Sequence, residues 1–329
     1  MWLQIRLYLL IGILFAIMYG ILSIIGALMG GSGLYFYLYL FFIAVSLVAI
    51  QYMIGPKMVE ITMRVRYVDR EEYPELHKMI EELSAKADIP KPKVGISKLQ
   101  IPNAFAFGRT KRDARVCVTE GLLNLLNEEE LRAVLGHEIS HIKHRDVFVI
   151  TTLSVVPTIC YMLYLSFFWG GIFYRRREGG AIALIGLIAF AVYLITSLLV
   201  MYGSRIREYY ADMGSVELGN KPSWLATALY KLVYSSAHVD RRVVKQIAGI
   251  KPFFINDPTT SMSEVRELRE IDLNLDGMID ENELLMLSTK RVKLSGVERA
   301  LEIMSSHPNV IKRIKHLAEL STETKIYGA

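Results

Sequence analysis

Residues 127–146 read NEEELRAVLGHEISHIKHRD, and the organisation of the chain can be worked outward from that stretch. Asn127 with Glu130 three residues later has the form of a capping box opening a helix, and Leu131, Val134 and Leu135 carry helical apolar spacing on toward His141. On such a helix His137 and His141 stand one turn apart on one face, where both imidazoles reach one metal ion. Glu138 between them is angled toward a water on that metal. The spacing suits Zn²⁺, which takes neutral imidazole nitrogens and keeps a position open where it does chemistry. Solvated surface histidines would show the same letters, but the capping box and the helical context favour the metal.

On both sides of the polar segment that carries this helix the chain turns apolar. No charged residue occurs from Leu7 to Pro56, and Met29-Gly30-Gly31-Ser32-Gly33-Leu34 breaks that run near its middle. Val147 to Tyr174 and Gly179 to Ser204 are two more uncharged runs. Roughly 20 apolar residues cross a hydrocarbon core of about 30 Å, so the expectation is two hairpins, or four membrane helices. A hydrophobic content of 52% and a mean hydropathy of +0.31 agree. The first run leads straight into a second span rather than a cleavage site, so the N-terminus is expected to be retained.

Lys57, Arg64, Arg66, Arg70, Lys143, Arg145, Arg205 and Arg207 flank the hairpins on one side, which the positive-inside tendency makes cytoplasmic. Arg175, Arg176 and Arg177 stand against this, in the far loop. A net charge of +5 with mixed signs gives no support to nucleic-acid binding. Cys117 and Cys160 lie far apart and are read as buried, reduced thiols.

The third metal ligand has to come from elsewhere. Metzincin spacing would need glycine at 144 and histidine at 147, where the chain has His144 and Val147. Glu208, just beyond the fourth apolar run, completes a His₂Glu set of the thermolysin kind, and Asp212 four residues on shares its helical face and can orient a ligand histidine. His77, His144, His238 and His316 stay without a role. Elsewhere, Glu71 to Ala87 has helical spacing, and Lys93–Ile96, Asn103–Phe107 and Arg115–Val118 read as short strands.

A second pattern lies at 272–283. Asp272, Asn274, Asp276, Asp280 and Glu283 occupy the oxygen-ligand places of an EF-hand loop, Gly277 its turn and Met278 its backbone-carbonyl place. Calcium binding is therefore expected there.

Taken in order, Asn103-Ala104-Phe105-Ala106, the His137–His141 helix, Ser204 to Asp212, Ser306-His307-Pro308 and Arg313-Ile314, with the two apolar hairpins, resemble the HtpX-type membrane zinc metalloproteases, a heat-shock protease family related to the CAAX prenyl endoproteases. The likeness covers nearly the whole chain, apart from the EF-hand-like insert. It implies a zinc endopeptidase of a prokaryotic cell membrane, facing the cytoplasm and cutting misfolded or damaged membrane proteins. It also implies that Asn103, Ala104, Phe105 and Ala106 form an edge strand where substrate backbone adds as a further strand. Glu138 would take a proton from water and pass it to the leaving amine, with Arg205, Tyr209 and His307 as alternative stabilisers of the oxyanion.

The expected fold is a mostly α-helical, multi-pass membrane protein with an α+β, gluzincin-like metalloprotease domain around a small sheet. In chain order it consists of a transmembrane hairpin (1–56), a first catalytic segment with the motif helix (57–146), a second hairpin (147–204), a second catalytic segment with the third ligand (205–260), the insert (261–291) and a C-terminal helical segment of the catalytic domain (292–329). The expected cofactors are one Zn²⁺ and Ca²⁺, and the partners protein substrates and membrane lipid. Two other readings stand beside this one: a protease cutting within the membrane, and a non-catalytic membrane scaffold with a calcium-binding arm. The charged flanks of the motif disfavour the first. Glu138, which a binding module does not need, disfavours the second.

Overall fold

The computed structural model describes residues 34–169, 179–237, 271–289 and 296–327, with a few isolated positions elsewhere. The expectations for residues 7–33 and for Arg175 to Arg177 fall outside them. The chain forms two compact units, one of Met1–Ile54 with Phe148–Gly203 and the other of Gly55–Val147 with Ser204–Ala329.

The described residues of the apolar unit are helical. Helix α1 (Leu34–Thr62) does not stop at Pro56 as expected from composition; it carries the proline internally and ends six residues later. Helix α5 (Asp146–Tyr164) continues into a π-turn at Leu165–Trp169, and α6 (Gly179–Glu217) follows. Within this unit Leu153, Val156 and Cys160 of α5 pack with Val192, Tyr193 and Leu199 of α6. Ser154, Thr158 and Thr196 return their hydroxyl protons to carbonyls one turn back, so each of the three is satisfied within its own apolar helix. Among the described residues, Ala183–Glu217 is the one helix long and apolar enough to cross a membrane.

The polar unit is built on a four-stranded sheet of order β1-β2-β4-β3: β1 (Val65–Tyr67), β2 (Lys93–Ser97), β3 (Ala104–Gly108) and β4 (Ala114–Thr119). β2 and β4 run parallel, and the outer pairs are antiparallel. The three expected strands are present within a residue or two. β1 was not expected, since Val65-Arg66-Tyr67, three residues directly after a long helix, is too short to show a strand run. Helix α2 (Pro74–Lys86) starts three residues later than its apolar spacing suggests, because Pro74 takes the first-turn place where its missing N–H costs nothing. Leu76, Met79, Ile80 and Leu83 are its buried face.

Short α3 (Glu120–Leu125) leads to α4 (Glu128–Lys143), the motif helix, which packs on α2, β3 and α7 (Pro222–Ala237). Helices α8 (Glu281–Thr289), α9 (Gly296–Ile303) and α10 (Val310–Tyr327) follow, and α10 packs on α7 and α8. Cys117 and Cys160 are free and buried, as expected.

Candidate metal centre

The site rests on how α4 begins. Asn127 Oδ1 accepts the Glu130 N–H at 2.9 Å while Glu130 Oε2 accepts the Asn127 N–H at 3.1 Å, closing the capping box. The same Glu130 carboxylate accepts two hydrogen bonds from Lys231 of α7 at 2.7 and 2.9 Å, so its buried charge is paired. Further along, α4 meets α6 at small residues. A Cβ on Gly214 would run into the Ser140 side chain, one on Gly136 would run into Asn220 and Ser215, and Ser215 Oγ donates to Ala133 O at 2.6 Å. That close approach brings Glu208 of α6 opposite the two histidines of α4.

His137 Nε2 and His141 Nε2 stand 3.1 Å apart, and each lies 3.6 Å from a carboxylate oxygen of Glu208. All three offer ligand atoms within 4.8 Å of one another, and no other such trio occurs among the described residues. Ligands about 2.1 Å from zinc in a tetrahedron stand roughly 3.4 Å apart, so the three fit that ion. The far side of each ring is also occupied. His137 Nδ1 is 2.9 Å from Asp212 Oδ1, and His141 Nδ1 is 2.6 Å from Asp146 Oδ2. Each Nδ1–H is spent on a carboxylate, which leaves Nε2 as the ring atom that faces a metal, in place of a proton on His137.

Arginines stand behind both carboxylates. Arg313 of α10 is wholly buried and donates to Asp212 through Nε at 2.9 Å and Nη2 at 2.6 Å, while its Nη1 lies 3.2 Å from Glu208. Arg207 of α6 pairs with the Asp146 carboxylate and donates through Nη1 to the Asp146 carbonyl at 2.6 Å.

Charges in this pocket follow from burial and neighbours. Burial alone would lower the His137 pKa, but the Asp212 and Glu208 carboxylates outweigh it and raise it to about 9. Burial, with His137 alongside, holds His141 well below its ordinary value, which keeps it neutral. For Glu208 burial pushes upward, yet His307 and Arg313 bring it well below the usual carboxylate range. Glu138 goes the other way: burial, supported by Glu208, lifts it to about 7 against His137 and a hydrogen bond from the Ala106 backbone. A carboxyl near 7 is suited to giving and taking protons at neutral pH.

The other expected site residues are distributed unevenly. Asn103 sits just before β3, buried, its N–H donated to Thr119 Oγ1 at 2.8 Å; Ala104 to Ala106 lie in β3, an edge strand. Since the Ala106 amide reaches Glu138, the unpaired edge of β3 faces α4. His307 Nδ1 is 3.5 Å from Glu208, and both its ring nitrogens are buried without a hydrogen-bond partner among the described residues. Tyr209 packs edge-on against His316. Arg205 donates to the carbonyls of Glu302, Ile303 and Ser305 at 2.7–3.0 Å, closing the end of α9.

The calcium expectation finds no support. Asp272 accepts the N–H groups of Asp276 and Gly277, Glu283 those of Leu273 and Asp280, and the loop's carboxylates form no ligand trio. Sequence reasoning missed Asp146, Arg207 and Arg313 as site residues. The first two read as ordinary charges flanking a membrane hairpin, and Arg313 is separated from Asp212 by too long a chain for any spacing rule.

The pattern of peptidase family M48 matches residues 70–321. A protein named protease HtpX homolog from Methanothermobacter thermautotrophicus is 53% identical over 231 residues, 70% of this chain and 86% of its own length. Its namesake from Pyrococcus furiosus is 33% identical over 320 residues, 96% of each chain. Among solved structures, Ste24p of S. mikatae is similar in fold, with a TM-score of 0.50 at 15% identity, covering 93% of this chain; the chain spans 62% of that structure's length.

Proposed function

We propose, on the premise that this chain belongs to peptidase family M48 and is a zinc metallopeptidase, that it is a membrane-bound endopeptidase that cuts misfolded or damaged membrane proteins from the cytoplasmic side. The observation that carries this reading is a buried Glu138 set between two histidines whose Nε2 atoms converge on Glu208. His137, His141 and Glu208 would hold the zinc, which would supply Lewis acidity toward a scissile carbonyl and a lowered pKa for water. Glu138 takes the proton of the attacking water and delivers it to the leaving amine. Asp212 fixes the ring of His137. Of the three candidate oxyanion donors, His307 is favoured, because its ring stands beside Glu208 at the ligand cluster, while Arg205 closes α9 and Tyr209 packs on His316.

Substrate backbone adds to the open edge of β3, Ala104 to Ala106, opposite Glu138. Ser204 ends the apolar run four residues before Glu208, about 6 Å along α6, which supports a site just outside the membrane rather than within it. Four spans, with both polar segments cytoplasmic, complete the proposal.

The test is cleavage of unfolded casein by detergent-purified protein, comparing the native chain, Glu138→Gln, and the native chain stripped by chelator and then restored with Zn²⁺. Cleavage by the intact, zinc-loaded chain alone is expected. If Glu138→Gln cleaves like the native chain while zinc is bound, the assignment of the base fails; if neither cleaves, the peptidase reading fails for that substrate and a scaffold role gains.

A further inference from the structure

The two ligand histidines are held in matching ways, and only one of those arrangements has an assigned carboxylate. We propose that Asp146, braced by Arg207, is the positioning residue of His141, as Asp212 braced by Arg313 is of His137. This rests on the reading of His137, His141 and Glu208 as zinc ligands.

Three independent features carry it. First, the geometry: His141 Nδ1 lies 2.6 Å from Asp146 Oδ2, closer than His137 Nδ1 lies to Asp212 at 2.9 Å, and it sits on the ring's far side from the Nε2 that meets Glu208. Second, the bracing: the buried guanidinium of Arg207 contacts the same Oδ2 and also donates to the Asp146 carbonyl, so both ends of the aspartate are fixed. Third, the backbone: Arg145 has φ of 59°, a left-handed conformation that a non-glycine residue keeps only where its surroundings hold it. That residue turns the chain between α4 and α5 and swings Asp146 back beneath His141, five residues upstream. An acidic residue in the first turn of α5 could serve the helix dipole alone. That role would leave it at the surface, whereas Asp146 is buried and its Oδ2 is taken up by an imidazole and a guanidinium.

The pair also joins two helices. Asp146 is the first residue of α5 and Arg207 lies on the polar end of α6, so the orientation of a metal ligand depends on both roots of the second apolar hairpin. Metal affinity should therefore respond to a change that touches no ligand.

The experiment uses the full-length protein in detergent and measures zinc affinity by competition with a chromophoric chelator, together with the Tm of the zinc-free protein. Asp146→Asn removes the charge that orients His141 and is expected to weaken zinc binding roughly 10- to 100-fold. The double variant Asp146→Asn, Arg207→Met leaves no unpaired charge; it is expected to recover the native zinc-free Tm but not the zinc affinity. Lys91→Gln, which breaks an exposed pair with Glu81, is the control and should bind zinc as the native chain does.

Native affinity in a folded Asp146→Asn would overturn the inference. So would an affinity that returns together with the Tm in the double variant, since a purely structural pair behaves that way. If the single variant does not fold, the double variant decides. A native chain that binds zinc no more tightly than His137→Ala would overturn the ligand reading itself, and this inference with it.

Discussion

Glu138 and Arg313 are both ionisable groups withdrawn from water, and they fare differently because burial outweighs the positive charge near Glu138, whereas two carboxylates compensate Arg313. Burial raises the Glu138 pKa from the ordinary 4.5 to about 7. The neutral carboxyl therefore contributes stability that is fully present below 4.5 and lost as pH rises through 7. Glu138→Gln does not titrate, so in zinc-free protein its stability advantage over the native chain should grow between pH 5 and pH 8, by on the order of 3 kcal/mol. Parallel Tm curves for the two proteins across that range would contradict the burial account. Arg313, by contrast, compensates Asp212 and Glu208, and Arg313→Met leaves both carboxylates buried without their guanidinium. A loss of about 3–5 kcal/mol is expected without zinc, and it should narrow with zinc, which would supply positive charge beside Glu208; Tm measured with and without the metal checks both effects. At this scale the ligands were legible because His137 and His141, and again Glu208 and Asp212, are each four apart on a helix. Arg313, Asp146 and Arg207 were not, because a guanidinium or carboxylate in a charged segment gives no sign of what it will meet after folding.

Among elements, α4 could be read almost to the residue because its start is written in side-chain chemistry. The Asn127–Glu130 capping box forms as expected, and Asn127→Ala should cost about 1 kcal/mol, seen as a lower Tm with the zinc site still formed. What could not be read was the facing helix. Gly214 looks like an undistinguished residue in a long α6, and its purpose appears only where α4 crosses it at Ser140, next to His141. Gly214→Ala should cost about 1–3 kcal/mol through overpacking and also weaken zinc binding, since α6 is pushed away with Glu208 on it. Unchanged zinc affinity in that variant would mean the spacing of the two helices is not set there. The elements read poorly are those where a local cue was misleading: Pro56 suggested an end to α1 that does not come, and three-residue β1 pairs with β2 without any strand run of its own.

For the molecule as a whole, the organisation of hydropathy was legible and the closure of the polar unit was not. That unit combines residues 55–147 with 204–329, two stretches that the apolar segment 148–203 separates in sequence. His137 and His141 come from the first stretch, and Glu208, Asp212 and Arg313 from the second. A metal held by both stretches binds the assembled unit and not the separated one, so zinc should stabilise it by RT ln(1 + [L]/Kd), about 2.7 kcal/mol at a hundredfold excess over Kd. Without zinc, Glu208 keeps Arg313, His307 and the two histidines beside it, but the two stretches lose the metal bonds that span the gap. Chelation should therefore lower Tm by several degrees in the native chain and in Glu138→Gln, which retains every ligand, but not in His141→Ala, which has already lost one. A chelator shift that persists in His141→Ala would place the stabilising metal elsewhere in the protein, and a native chain indifferent to chelation would mean that protein contacts alone hold the two stretches together.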